Sequence, residues 1–225
     1  MQNSGHAPTG KALRTVTGVF GLLAALAGVE HGLGEILQGP VAPDGPVFRS
    51  WPGNEAFEIL DGEPAFTVLP DLLVSGVVTV AVAVVFGAWA VAGVHRRRGP
   101  LVLIGLALLL FAVGGGFGPP LLGIILGIGA SRPAVPSRPP GPAARVMAKA
   151  WPWAMGAGAA GYLGLVPGTL VMHALRGTPP ESVVYGLMAM AFGGVLLALA
   201  GARASNRLEA WHAAPSPRSR SGTST

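Results

Sequence analysis

Long apolar runs separated by short polar clusters set the pattern of this chain. The first run begins near Leu13 and continues to Leu37, with Glu30, His31 and Glu35 in its second half. A polar stretch, 38–71, follows. Leu72–Val94 is the cleanest run, and Ser75 and Thr79 are its only hydroxyl side chains before His95-Arg96-Arg97-Arg98 ends it. At 1.5 Å per residue such a run covers a hydrocarbon core of ~30 Å. Residues 101–130 are apolar but interrupted by Gly114-Gly115-Gly116-Phe117-Gly118-Pro119-Pro120, a combination that breaks a helix. Two more runs, 151–175 and 182–202, complete the set, the former with Pro167 inside it. The pattern predicts an all-α, polytopic helical membrane bundle. It has five to six spans (13–37, 72–94, 101–118, 119–130, 151–175 and 182–202), or four spans plus a re-entrant hairpin at 101–130. The arm 121–130 is only ~15 Å long as helix, too short to cross alone. Residues 1–12 and the tail from Ala213 read as disordered, and 203–212 (RASNRLEAWH) as a short amphipathic helix on the membrane surface.

Composition strengthens this reading. Apolar residues make up 51% of the 225 positions and charged residues 11%, where a soluble domain carries about 25% charged. Lipid is the solvent that suits the excess apolar surface. Cysteine is absent, which excludes disulfides, thiolate metal sites and a cysteine nucleophile. No phosphate loop, nucleotide fingerprint or nucleophile elbow is present.

The net charge of +5 does not indicate nucleic acid, because the basic residues sit in clusters between apolar runs. Lys11 and Arg14; Arg96, Arg97 and Arg98; Arg132, Arg138, Arg145 and Lys149; and Arg203, Arg207, Arg218 and Arg220 fall in four segments. The positive-inside rule assigns all four to the cytoplasm. The 38–71 loop carries Asp44, Glu55, Glu58, Asp61, Glu63 and Asp71 against Arg49 and belongs outside. Both termini are then cytoplasmic, in a bacterial inner membrane. A cleavable leader is the competing reading of the N-terminus, with Lys11 and Arg14 preceding Val16–Ala24 and an Ala25-Leu26-Ala27 site. The helical pattern runs on through Ile36-Leu37, which favours a retained helix.

Candidate chemistry centres on Glu30, His31 and Glu35. His31 and Glu35 are four apart and share a helical face, with Glu30 and Gln38 adjacent. Measured from Leu13, His31 lies ~27 Å up the helix, in the outer part of the bilayer. Imidazole and carboxylate at this spacing can share a divalent metal ion or relay a proton; the alternative is an interfacial helix end with ordinary hydrogen bonds. His173 falls at similar depth on another span, as a further metal ligand or a simple helix-end histidine. Haem held between His31 and His173 is a weaker alternative. The Gly/Pro break 114–120 reads as a gate or re-entrant element. Gly156, Ala160, Gly164 and Gly168, and likewise Ser75, Thr79, Ala83 and Gly87, recur every four residues as helix-packing stripes, within the chain or in a homo-oligomer. Trp51, Phe57 and Leu60 suggest the apolar side of a short helix in the outer loop.

The motifs Glu30-His31-Gly32-x-Gly34-Glu35-x-Leu37-Gln38-Gly39, Gly62-Glu63-Pro64-Ala65 and Gly114 through Gly123 (GGGFGPPLLG) resemble a group of uncharacterised bacterial polytopic membrane proteins, over residues 13 to about 200. The resemblance implies a membrane fold and brings no activity with it. Three functions follow as expectations: a small ion- or proton-coupled transporter using the break and the Glu30, His31 and Glu35 groups; a membrane-embedded metal or haem protein using His31, Glu35 and His173; and an accessory subunit working through a membrane partner.

Overall fold

The computed structural model describes residues 10–131 and 139–213. The expected disorder at both ends, and Arg132, Arg138, Arg218 and Arg220, lie outside the described residues, wholly or in greater part. Six helices account for most of the described chain: α1 (Lys11–Gln38), α2 (Leu72–Ala92), α3 (Gly99–Ala112), α4 (Gly118–Ala130), α5 (Pro142–Arg176) and α6 (Glu181–Ala213). Helices α1, α2, α5 and α6 are long and apolar enough to cross a membrane, whereas α3 and α4 have 14 and 13 residues.

Helix boundaries follow local chemistry. Asp71 caps α2 by accepting a hydrogen bond from the Val74 N–H at 2.9 Å, one of the orphan donors of a helix start. Pro119 and Pro120 sit in the first turn of α4 and Pro142 opens α5, where a missing N–H costs nothing. The prolines at 119 and 120 therefore start a helix, and the break itself is confined to Val113–Phe117. Inside α5, Pro167 is accommodated by a π-helical turn over Gly164–Gly168, since the ring cannot donate to the regular ladder. Two expectations change. The run at 151–175 begins earlier, at Pro142. Residues 203–212 do not form a separate surface helix but continue α6: no breaker separates them from the span, and Arg203 donates to the carbonyls of Ile128 (2.7 Å) and Gly129 (2.9 Å) at the end of α4.

Packing is built on small residues. α1 and α2 run antiparallel, with Gly21 on Ala90, Gly87 on Ala25, Gly28 on Ala83 and Gly32 on Gly76. The Ser75–Thr79–Ala83–Gly87 stripe is buried in this contact. α5 meets α6 through Gly158 on Gly194 and Gly161 on Ala191. Of the predicted α5 stripe, Gly164 packs on Leu187, while Gly156 and Ala160 face away from the rest of the chain; the intramolecular contact lies one helical face over. Phe20, Phe86, Leu103, Leu122 and Leu126 fill a fully buried core where α1 to α4 converge. Among the described residues, Lys11, Arg14, Arg96–Arg98, Arg145, Lys149, Arg203 and Arg207 gather at one end of the bundle: Gly10 abuts Asn206, and Arg145 and Lys149 share a groove with Glu209.

The 38–71 segment forms a small cap at the opposite end. Val47–Arg49 and Pro64–Phe66 make a two-stranded antiparallel sheet, with Phe48 opposite Ala65. A 3-10 helix at Glu55–Leu60 buries Phe57, which stacks on Trp51 at 5.0 Å. Phe66 stacks on Phe111 of α3, also at 5.0 Å, and pins the cap to the α3–α4 hairpin.

Candidate metal centre and hairpin tip

Three sequence motifs far apart along the chain meet where the cap covers the bundle. Glu30 and His31 project from α1, and Glu63 arrives from the cap. One ligand atom from each of these three residues lies within 4.8 Å of the other two. His31 is held from both sides: Nδ1 is 2.9 Å from Ser50 Oγ, and Nε2 is 3.4 Å from Glu63 Oε2. When Nδ1–H donates to the serine hydroxyl, the Nε2 lone pair faces the carboxylates, which is the tautomer a metal ligand needs. The Trp51 indole is turned toward Glu30.

Burial makes this arrangement demanding. His31 is 6% exposed and Glu63 8%. Among the described residues, the ion pairs are His31 with Glu63 and Arg49 with Asp61, the second on the surface. No lysine or arginine among them compensates Glu30 and Glu63. Two buried carboxylates facing each other need either a proton, which neutralises one of them, or a cation between them. Glu63 also has a strained backbone: Asp61 and Glu63 have φ of 53°, with Gly62 at 67° between them. Non-glycine residues in this region cost of order 1–3 kcal/mol and persist where the surroundings over-determine them. Here the Ser50 N–H to Glu63 O bond (3.1 Å) and the Trp51 N–H to Gly62 O bond (3.0 Å) hold the turn in place.

A cavity of about 230 Å³ opens beside the cluster, between α1, α4, α5 and α6. Glu30, His31 and Glu63 form its polar wall, and Phe117, Leu165, Met188 and Phe192 are among its apolar walls, with Tyr162 also lining it.

Glu35 belongs to a second polar cluster, one helical turn from His31. Its carboxylate is fully buried, with neither oxygen in a hydrogen bond of ordinary geometry. It lies against Gly114 in the α3–α4 tip and beside Ser75 of α2. The tip is irregular backbone, and its opened carbonyls find partners. Val113 O accepts from Ser75 Oγ (2.6 Å) and from Thr79 Oγ1 (2.5 Å), and Ala112 O accepts from the Val68 N–H (3.0 Å). Ser75 Oγ also lies 2.9 Å from Thr67 Oγ1 in the cap. Such satisfaction is what buried non-helical backbone requires.

Gly114 and Gly116 have φ of 119° and 68°. A Cβ on Gly114 would collide with the Glu35 carboxylate, and one on Gly116 with the His31 imidazole. The tip thus seats one glycine under each of the two α1 side chains that share a helical face.

The residues predicted from the sequence part company in the fold. Glu30 and His31 meet each other and gain Glu63 and Ser50, whose loop position offered no periodic signal. Glu35 turns to the hairpin tip. His173 lies near the end of α5, 3.4 Å from Thr178 Oγ1, and does not join the described cluster. Comparison of the chain with protein-family models, with curated proteins and with solved structures yields no match.

Proposed function

We propose that this is a multi-pass protein of the bacterial cytoplasmic membrane that holds a divalent transition-metal ion at Glu30, His31 and Glu63, facing a small apolar cavity in the outer leaflet. The observation that carries the reading is the convergence of an imidazole and two carboxylates, buried and, among the described residues, without a compensating lysine or arginine. One nitrogen and two carboxylate oxygens suit zinc or a similar first-row ion. Ser50 on His31 Nδ1 supplies the outer hydrogen bond that such ligands use, and the cavity leaves room for a fourth ligand. In this reading the basic end of the bundle is cytoplasmic, and α3–α4 is a hairpin entering from that side. Its arms of ~20 Å are too short for a ~30 Å core, and the cap closes over the tip.

The test is elemental analysis of detergent-purified full-length protein, followed by chelation and titration with Zn²⁺. Roughly one ion per chain is expected, with loss in His31→Ala and Glu63→Gln. A folded wild-type chain that binds no metal after reloading overturns the reading. A second reading, a small ion-coupled transporter, is favoured by the contact between the re-entrant tip and the buried Glu35.

A further inference from the structure

We infer that the cavity beside the metal centre binds the carbonyl of an uncharged, long-chain lipid (an ester, amide or ketone). The carbonyl oxygen takes the open position on the metal, and the chain runs out between α4 and α6. This names a ligand class for the metal centre above and rests on that reading.

The walls select the head. Glu30, His31, Glu63 and Tyr162 are the polar and ionisable side chains around the cavity, and no lysine or arginine among the described residues lines it. A divalent ion beside Glu30 and Glu63 makes a centre of zero net charge. A carboxylate or phosphate head would add a buried negative charge without a partner, and an ammonium head a positive one, both costly. A neutral oxygen adds no charge. Tyr162 supplies the second contact. It is 6% exposed, and Glu63 and Glu30 both act on its phenol electrostatically. No hydrogen bond to its hydroxyl is formed among the described residues, although a buried tyrosine hydroxyl normally finds a partner. A carbonyl oxygen has two lone pairs, one for the metal and one for this donor.

Size and position select the chain. The cavity of about 230 Å³ holds roughly eight groups the size of a water molecule, at ~30 Å³ each. That is a head and its first carbons, so the rest of a long chain must leave. α4 and α6 touch near the basic end, where Leu199 packs on Gly129 and Arg203 donates to the Ile128 and Gly129 carbonyls. Toward the cap, Phe117 and Pro119 face Met188 and Phe192 across the cavity, and Phe117 is half-exposed. The α5 wall, Leu165 and Val166, is the π-helical turn itself, a distortion frequent at functional sites. The way out is therefore apolar and lies between two membrane helices.

Photolabelling of the full-length protein in lipid nanodiscs, with Zn²⁺ counted on the same sample, tests the assignment. The probe is a long-chain methyl ketone carrying a diazirine in its chain. Saturable labelling is expected on peptides containing 163–168 and 188–192. Unlabelled ketone of the same length competes, whereas the matching alkane, and the matching fatty acid at alkaline pH, compete at least ~tenfold more weakly. Chelation of the zinc lowers labelling about tenfold or more, and Tyr162→Phe lowers it up to about tenfold, the scale of one lost hydrogen bond. Met188→Trp, which fills the gap between α4 and α6, lowers it as well. Wild-type protein that carries zinc yet takes no saturable label at these peptides overturns the proposal and leaves the metal centre standing. So does labelling that is equal with and without zinc, or competed equally by alkane. Folded protein that holds no zinc after reloading removes the metal centre, and this proposal with it. Because the wild type decides each outcome, misfolding of a variant does not.

Discussion

Gly116 must satisfy two conditions at once: a left-handed backbone, with φ of 68°, and a Cα close beneath the His31 ring. Alanine meets neither. Gly116→Ala is expected to destabilise the protein by at least ~1–2 kcal/mol from the backbone alone, seen as a lower melting temperature in detergent, and to displace His31 as well. Gly118, two residues on, has an ordinary φ and open space around it, and Gly118→Ala serves as the matched control. Ser50 acts more gently. It holds one nitrogen of His31 and touches neither carboxylate in the described hydrogen bonds. Ser50→Ala is expected to weaken Zn²⁺ binding ~10–100-fold, the usual effect of losing an outer partner of a histidine ligand, while leaving the fold intact. Equal affinity in the variant, measured by competition with a chelating dye, would remove Ser50 from the site.

At the level of elements, the decisive contact is the antiparallel crossing of α1 and α2. An added Cβ on Gly32 would lie 2.8 Å from the Gly76 carbonyl oxygen, so the backbones touch where the polar clusters begin. Dispersion between close backbones, rather than a hydrophobic force, holds helices together in lipid. Gly32→Leu is therefore expected to separate the pair and abolish metal binding, because Glu30 and His31 ride on the displaced helix, and to break the hydrogen bonds that Ser75 and Thr79 of the other helix donate to the Val113 carbonyl. Gly105 in α3 and Gly156 in α5 have nothing within 4 Å of an added Cβ. Gly105→Ala is expected to be neutral or stabilising by ~0.5–1 kcal/mol, the gain for replacing glycine within a helix. A melting series that ranks Gly32→Leu above Gly105→Ala would show that the crossing does not carry the fold. The hairpin α3–α4 depends on the cap in the same manner: its open carbonyls are bonded by Val68 from the cap and by two α2 hydroxyls, and the cap leans on its Phe111.

For the molecule as a whole, the separation of charge predicts orientation. The chain has no cysteine, so single cysteines can be introduced one at a time and probed with a membrane-impermeant thiol reagent. Glu55→Cys in the cap is expected to label from outside intact spheroplasts, and Arg97→Cys only after permeabilisation. The reverse pattern would invert the topology and place the cavity on the cytoplasmic side. Phe117→Cys, half-exposed at the hairpin tip, distinguishes a tip reached from the outer aqueous phase from one enclosed by cap and lipid; slow labelling relative to Glu55→Cys is expected.

Features that depend on one dimension are legible in the amino-acid sequence itself. Whether a run is long and apolar enough to span is a property of consecutive residues, as is the run of glycines that interrupts the helix at 113–117. The pairing of Glu30 with His31, and of His31 with Glu35 on a helical face, follows from a period of 3.6. Other features depend on which segments touch, and no local rule carries that. Glu63 and Ser50 sit in a polar loop with no periodicity, and they become partners of His31 only because the Phe48–Ala65 pairing and the Phe66–Phe111 stack fold the cap onto the helices. Likewise, Glu35 parts from its neighbours because Gly114 approaches it from the hairpin. The α5 packing face lies at Gly158 and Gly161 rather than Gly156 and Ala160 because α6, not the spacing along α5, selects which small residues are covered. The length and apolarity of consecutive residues dictate which helices can span; the convergence of loop, hairpin and helix dictates which side chains meet.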